Sequence, residues 1–225
     1  MRDAASISRS IGWLGGTAAD LQDALLSGCQ WQWFLEDKAI SHGGDTSGGM
    51  FGLAPGSVSA IPGLGVPDAP IIHIVSAPFW YGTNPLIGAT PRSMTVAARS
   101  PCLAARVPQH ALIAPFDADP SRWRCIAQYF KAIVLSQLVA SDMLIRDSRR
   151  CCLAAFLRVA NCRTGGTEPS TAELSQDELA AMANLSRQTT GPILREFADA
   201  GLVTDGSRNI VLHDLAALRA RLAER

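Results

Sequence analysis

Four consecutive residues, Ser186, Arg187, Gln188 and Thr189, carry two hydroxyls, a guanidinium and a carboxamide. A guanidinium can fork onto O6 and N7 of guanine, and a carboxamide onto N6 and N7 of adenine. Hydroxyls at a helix start suit phosphate oxygens, because the free backbone N–H groups there also favour an anion. Arg195 and Arg208 follow within the next two turns of sequence and a short hairpin, and arginine is suited to bidentate phosphate contact. The plainer reading of Arg187 alone is a solvated residue at a helix start; its place directly behind a capping serine favours a ligand-binding role. Covalent chemistry has little support. The chain has no G-x-S-x-G elbow, no H-E-x-x-H and no P-loop, and His42, His73, His110 and His213 lack ligand spacing. Its six cysteines include no C-x-x-C pair. Adjacent Cys151 and Cys152 read as small buried hydrophobes, with redox sensing as the alternative.

Those polar groups need a scaffold, and the flanking residues supply one. Ser175 with Glu178 three residues on is a capping box that starts a helix at Gln176. Leu179, Met182 and Ala183 share one face of it, and small Ala180 suits a close crossing of two helices. Asn184 tolerates the left-handed backbone of a tight turn. Ser186 caps a second helix with Ile193, Leu194 and Phe197 inward, and Gly201 stands where a helix C-terminus wants positive φ. Two short helices joined by so few residues are a helix-turn-helix. Leu202-Val203, the turn Asp205-Gly206-Ser207 and Ile210-Val211-Leu212 then make a hairpin, a wing with Arg208 near its tip. Asp214 caps a last helix. An ordinary helical pair in a core would not require cap, turn, cap, stop and wing in this order.

The remaining chain sets the context. At 225 residues it is long enough for two domains, each with its own core. Hydrophobic residues make up 48% and charged residues 18%, the balance of a globular protein, and no apolar run reaches the length of a membrane span. The N-terminus lacks the apolar core of a secretion signal, so a cytoplasmic location is expected. Twenty basic residues balance 20 acidic ones. That balance counts mildly against a nucleic-acid binder, whose affinity comes from neutralised phosphates, unless the basic residues are gathered locally. They partly are, in Arg146, Arg149, Arg150, Arg158 and Arg163 ahead of the helix pair.

A helix is expected around Asp20–Leu26. Six strands are expected after it, at Gln30–Leu35, Met50–Leu53, Ser57–Ile61, Ile71–Val75, Met94–Ala98 and Leu103–Val107. Short strands cut by Gly and Pro turns at this spacing imply a compact antiparallel roll or barrel. Asp119-Pro120 caps a long helix from Ser121 to about Asp142, with Trp123, Ile126, Phe130, Ile133, Val134 and Leu138 along an apolar stripe. So wide a stripe needs cover on more than one side. A partner chain would supply it in a dimer; a single core helix in a monomer is the alternative. A further helix runs from Asp147 to Val159, and Arg163–Pro169 is a loop. The fold class is α+β: an antiparallel β-roll over 1–117, a long dimerisation helix over 118–145 and a winged helix-turn-helix over 146–225.

In this order the chain resembles the Crp/Fnr family of bacterial transcription regulators. Ser175-Gln176-x-Glu178-Leu179-Ala180 and Leu185-Ser186-Arg187-Gln188-Thr189-Thr190-x-x-Ile193-Leu194 match the family's two-helix signature. Arg150 with the stretch Leu153–Leu157 resembles the helix that leads into it. The resemblance implies a cytoplasmic homodimer that reads a palindromic DNA site. It puts Arg187 and Gln188 at base-contacting positions, with Ser186, Thr189, Arg195 and Arg208 on the DNA backbone. RNA polymerase and a small-molecule effector are the further partners it implies, and no enzymatic activity, metal or cofactor. Gly82 and Arg92-Ser93-Met94-Thr95-Val96 resemble the edges of the family's phosphate-binding cassette, which puts Arg92 and Ser93 at the effector site; a solvated arginine on a strand is the plainer reading of Arg92. The acidic residue that would follow Gly82 and bond a ribose hydroxyl is replaced by Thr83. Losing that charge-assisted hydrogen bond would weaken cyclic AMP by about 1.5–3 kcal/mol, roughly ten- to a hundred-fold, so the effector is expected to be another molecule. Pro192 stands where the family often has a polar or basic reader, and in a second helical turn it removes a hydrogen bond and invites a kink. A sensor or interaction protein of this architecture that has lost specific DNA binding is therefore the alternative function.

Overall fold

A computed structural model of the chain describes residues 12–46, 48–63, 69, 71–88, 91–144, 147–161, 170–172, 174–206 and 209–223. They form two compact units, one of Met1–Ala69 with Val75–Ile133 and one of Pro70–Ile74 with Val134–Arg225.

The first unit is a roll of short strands with helices at its ends. Helix α1 (Ala19–Ser27) precedes β1 (Gln30–Phe34), β2 (Ala39–Ser41), β3 (Gly49–Leu53), β4 (Ser57–Pro62), β5 (His73–Ser76, of which Val75 and Ser76 fall in this unit), β6 (Phe79–Tyr81), β7 (Met94–Ala98) and β8 (Cys102–Pro108). One sheet has the order β1-β8-β3-β6 and the other β2-β7-β4-β5. Pairing is antiparallel between β1 and β8, β3 and β8, β3 and β6, β2 and β7, and β4 and β7. The expected strands fall within a residue or two of the observed ones. Strands β2 and β6 were not expected, because three residues are too few to show an alternation in sequence. Helix α2 (Gln109–Ala118) was also not expected. Pro115 lies inside it, although Leu112 and Phe116, one turn apart, are fully buried. With Leu21, Leu25, Met50, Trp80, Ala105, Val107 and Ile126 they build the roll's main core.

Asp119 then caps a turn of 3-10 helix (Pro120–Arg122), its carboxylate accepting from the Ser121 backbone N–H at 3.0 Å. Those hydrogen bonds from Ser121 hold the Asp119 carboxyl below the usual range. The long α3 follows (Trp123–Leu144), so its α-helical part starts two residues later than the sequence suggests. Its first turns belong to the roll's core through Ile126, Trp123 and Phe130, and the Tyr129 hydroxyl donates to the Trp80 carbonyl at 2.8 Å. Val134 and Leu138, one turn apart farther along, are 54% and 61% exposed. Among the described residues no helix is long and apolar enough to cross a membrane.

The second unit contains α4 (Ser148–Asn161), β9 (Ser170–Ala172), α5 (Gln176–Met182), α6 (Arg187–Asp199), β10 (Val203–Asp205), β11 (Ile210–Leu212) and α7 (Leu215–Ala223). Cys152, Phe156, Leu179, Met182, Leu194, Phe197, Ile210, Leu212 and Leu218 form its core. The expected hairpin β10–β11 gains a third strand, since β9 pairs antiparallel with β11. Together these elements are the roll, long helix and winged helix-turn-helix expected from the sequence.

Candidate nucleic-acid interface

Hydrogen bonds within α5 and α6 set the position of each polar side chain. At the start of α5 the Glu178 backbone N–H donates to Ser175 Oγ at 3.3 Å, and the Ser175 backbone N–H donates to Glu178 Oε2 at 2.8 Å. This is the reciprocal capping box. The inner face of α5 is buried at Leu179, Ala180 and Met182. Asn184 turns the chain with φ 54°, and the Leu185 N–H returns to the Ala180 carbonyl at 2.9 Å.

Ser186 then opens α6. Its Oγ accepts from the Thr189 N–H at 3.1 Å and lies 2.9 Å from the Thr189 hydroxyl. The Thr190 hydroxyl donates inward to the Ser186 carbonyl at 3.0 Å, and Thr190 is buried. Ile193, Leu194 and Phe197 continue the buried face, whereas Ser186, Arg187, Gln188, Thr189, Pro192 and Arg195 are exposed. The helix runs without a break from Arg187 to Asp199. Pro192 therefore leaves the Gln188 carbonyl without its usual i+4 donor but does not interrupt the helix. Gly201, at φ 69°, ends it as expected.

Two acidic residues make contacts that the sequence did not reveal: Asp177, not singled out there, and Asp205, read there only as a turn residue. Arg187 Nη1 donates to Asp177 Oδ2 at 3.2 Å, with the two side chains 68% and 66% exposed. Gln176 donates to the Asp205 carboxylate of β10, which ties the start of α5 to the wing. Neither contact follows a helical or strand repeat, so no periodicity reveals it. Arg149 pairs with Glu196 at 2.8 Å and Arg150 with Asp147 at 3.4 Å. Arg208 lies outside the described residues, as do Arg146, Arg163, Cys162, and Ser207 of the expected wing turn; the side chain of Arg158 is likewise not described. The fold thus brings Ser186, Arg187, Gln188 and Thr189 together at one exposed helix end, with Arg195 two turns along the same helix.

Arg92 and Ser93 lie in the other unit, just before β7. Arg92 is 9% exposed, so it is not the solvated strand residue that the plainer reading gives. Its Nη2 donates to the Gly49 carbonyl at 2.8 Å, and its guanidinium carbon stands 5.0 Å from the centre of the Phe51 ring. Burial pulls its pKa below the ordinary arginine value. Gly82 has φ 89°, and a Cβ there would come within 2.9 Å of Arg92 Nη1. Glycine is thus needed at 82 both for its backbone and for the approach of the guanidinium. Ser93 is exposed, and its carbonyl accepts from the Gly63 N–H at 2.7 Å.

Cys102, Cys151 and Cys152 are buried and Cys29 and Cys125 half-buried, all as free thiols. Burial pushes Cys152 and Cys29 up to about 12 and raises Cys125 and Cys151. A thiol so raised carries almost no thiolate at neutral pH, the form that reacts.

Comparison with known proteins agrees with this geometry. Residues 153–221 match the Crp-like helix-turn-helix domain. No curated protein sequence matches the chain. A putative cyclic-nucleotide-binding protein from Ruegeria pomeroyi is similar in structure, with TM-score 0.69 and 16% identity over 100% of this chain and 99% of that one. The c-di-GMP-responsive global regulator CLP of Xanthomonas campestris has TM-score 0.65 and 17% identity, covering 87% and 99%. A CRP/FNR-family transcriptional regulator from Thermus thermophilus has TM-score 0.64 and 20% identity, covering 87% and 100%. At these identities the likeness is one of fold.

Proposed function

We propose that this chain, whose residues 153–221 match a Crp-like helix-turn-helix domain and whose fold is like that of Crp/Fnr-type regulators, is a cytoplasmic, sequence-specific DNA-binding transcription regulator. Two copies bind a palindromic site, each placing the start of α6 in a major groove. Arg187 and Gln188 contact base edges, while Ser186, Thr189, Arg195 and Arg208 contact the DNA backbone. The reading rests on one observation. Ser186 through Thr189 project from the exposed end of a helix whose opposite face is locked into a core.

A small-molecule effector in the roll is part of the same reading, with Arg92 and Ser93 as the residues nearest to it. For Arg92 to meet an anion, its guanidinium would have to exchange the Gly49 carbonyl for the ligand. Thr83 in place of an acidic ribose partner argues for an effector other than cyclic AMP. RNA polymerase is the further partner of such a regulator.

The test is selection of bound fragments from a random duplex pool, followed by mobility shifts over a salt series. An enriched palindrome with half-sites about one helical turn apart is the expected result. Enrichment of no sequence would favour the second reading, a sensor or interaction protein of this architecture that has lost specific binding. Pro192 on the outward face of α6 and the carboxylate of Asp177 against Arg187 are the observations on its side.

A further inference from the structure

We infer that Asp177 is a specificity-determining positioning residue of the proposed reading head, acting through Arg187; the inference rests on the DNA-binding function above. The two residues belong to different helices, and the turn through Asn184 fixes those helices relative to each other. Asp177 lies in the first turn of α5, where the helix dipole favours its charge. Its Oδ2 accepts from Arg187 Nη1 at 3.2 Å, and both groups are open to solvent, as are Gln188 and Thr189.

A guanidinium has five N–H donors in a rigid fork. With Nη1 on Asp177, Nη2 and Nε remain as a pair for the O6 and N7 acceptors of guanine. Asp177 would therefore hold Arg187 in one orientation before DNA arrives, which lowers the ordering cost of binding. It also penalises wrong sites. A carboxylate brought near phosphates is repelled, and only an Arg187 satisfied by guanine compensates for it. At any other base the repulsion remains and the base contact is lost. Asp177 thereby lowers affinity for all DNA while widening the gap between guanine and the other bases.

The test uses the full-length protein and the duplex selected by it, with single-base replacements at every position of one half-site. Asp177→Asn and Asp177→Ala should each bind non-specific duplex about three- to tenfold more tightly, with the salt slope steeper by about one phosphate equivalent. They should also flatten the base preference about fivefold at the one position that Arg187→Ala affects, and nowhere else. In an Arg187→Ala background, Asp177→Ala should leave base preference unchanged. The proposal is overturned if the Asp177 variants keep the full preference at that position. It is equally overturned if the preference lost lies at another base, as when Asp177 itself accepts from a cytosine amine. A wild-type protein that distinguishes no duplex from a scrambled one would remove the DNA-binding reading and this one with it. A discriminating wild type with indifferent Asp177 variants would remove this one alone.

Discussion

A single guanidinium decides much of what the proposed site can read. Replacing Arg187 with Ala should weaken binding to the selected site by about 1–3 kcal/mol and relax one base preference, measured by mobility shift against single-base variants. The exposed ion pair with Asp177 contributes little to folding, so the melting temperature should hardly move. Cysteine illustrates the opposite case, a group whose environment silences it. Cys152, 1% exposed in the core of the second unit, has its pKa raised from 9.0 to about 12. A raised thiol pKa means that the folded state holds the proton more tightly than the unfolded one. The stability from this group is full below pH 9 and is lost as pH rises from there towards 12. Urea midpoints between pH 8 and 10.5 should fall less steeply for Cys152→Ala than for the wild type; parallel curves would show that the thiol does not contribute. The expected helix around Cys151 and Cys152 suggested burial from sequence, but the absence of reactive thiolate needed the packing around them.

Elements with a local signal were legible in the sequence, and those defined by their partners were not. The capping box, the Asn184 turn, the Ser186 cap and the Gly201 stop are each encoded within four residues, so the helix pair could be read directly. Strand β9 exists because β11 offers it an edge, and nothing within its three residues announces it. Pro115 hid α2 by breaking the pattern that Leu112 and Phe116 would otherwise have declared. In α6 the sequence marked Pro192 as a point where the helix could break, and the helix runs continuously past it, with Ile193, Leu194 and Phe197 in the core. Pro192→Ala restores a donor to the Gln188 carbonyl. It should stabilise the protein by about 1–3 kcal/mol in urea denaturation, offset in part by the greater freedom of the unfolded chain. A loss of stability would mean that the proline is favoured by its surroundings. The ties of Arg187 to Asp177 and of Gln176 to Asp205 were illegible for a related reason: each joins two elements whose mutual placement appears only after folding.

At the scale of the molecule, zero net charge leaves local grouping to supply any attraction for DNA, and Arg149, Arg150 and Arg187 of that grouping are each offset by an acidic neighbour. Doubling the chain would double the basic surface along one duplex, which makes the proposed dimer central to affinity. Val134 and Leu138 on α3 are large apolar groups left in solvent one turn apart. Leu138→Glu should shift the protein from dimer to monomer in sedimentation experiments and weaken binding to a two-half-site duplex far more than to a single half-site. An unshifted sedimentation coefficient would place the contact elsewhere. The small sheet of the wing bears on association of another kind. Its strand order is β10-β11-β9, each strand three residues long, and the outer β10 bears Asp205 and an exposed Thr204. A rim so brief and so hydrophilic is a poor template for fibrillar growth, so many copies could crowd on neighbouring stretches of a chromosome without their wings knitting together.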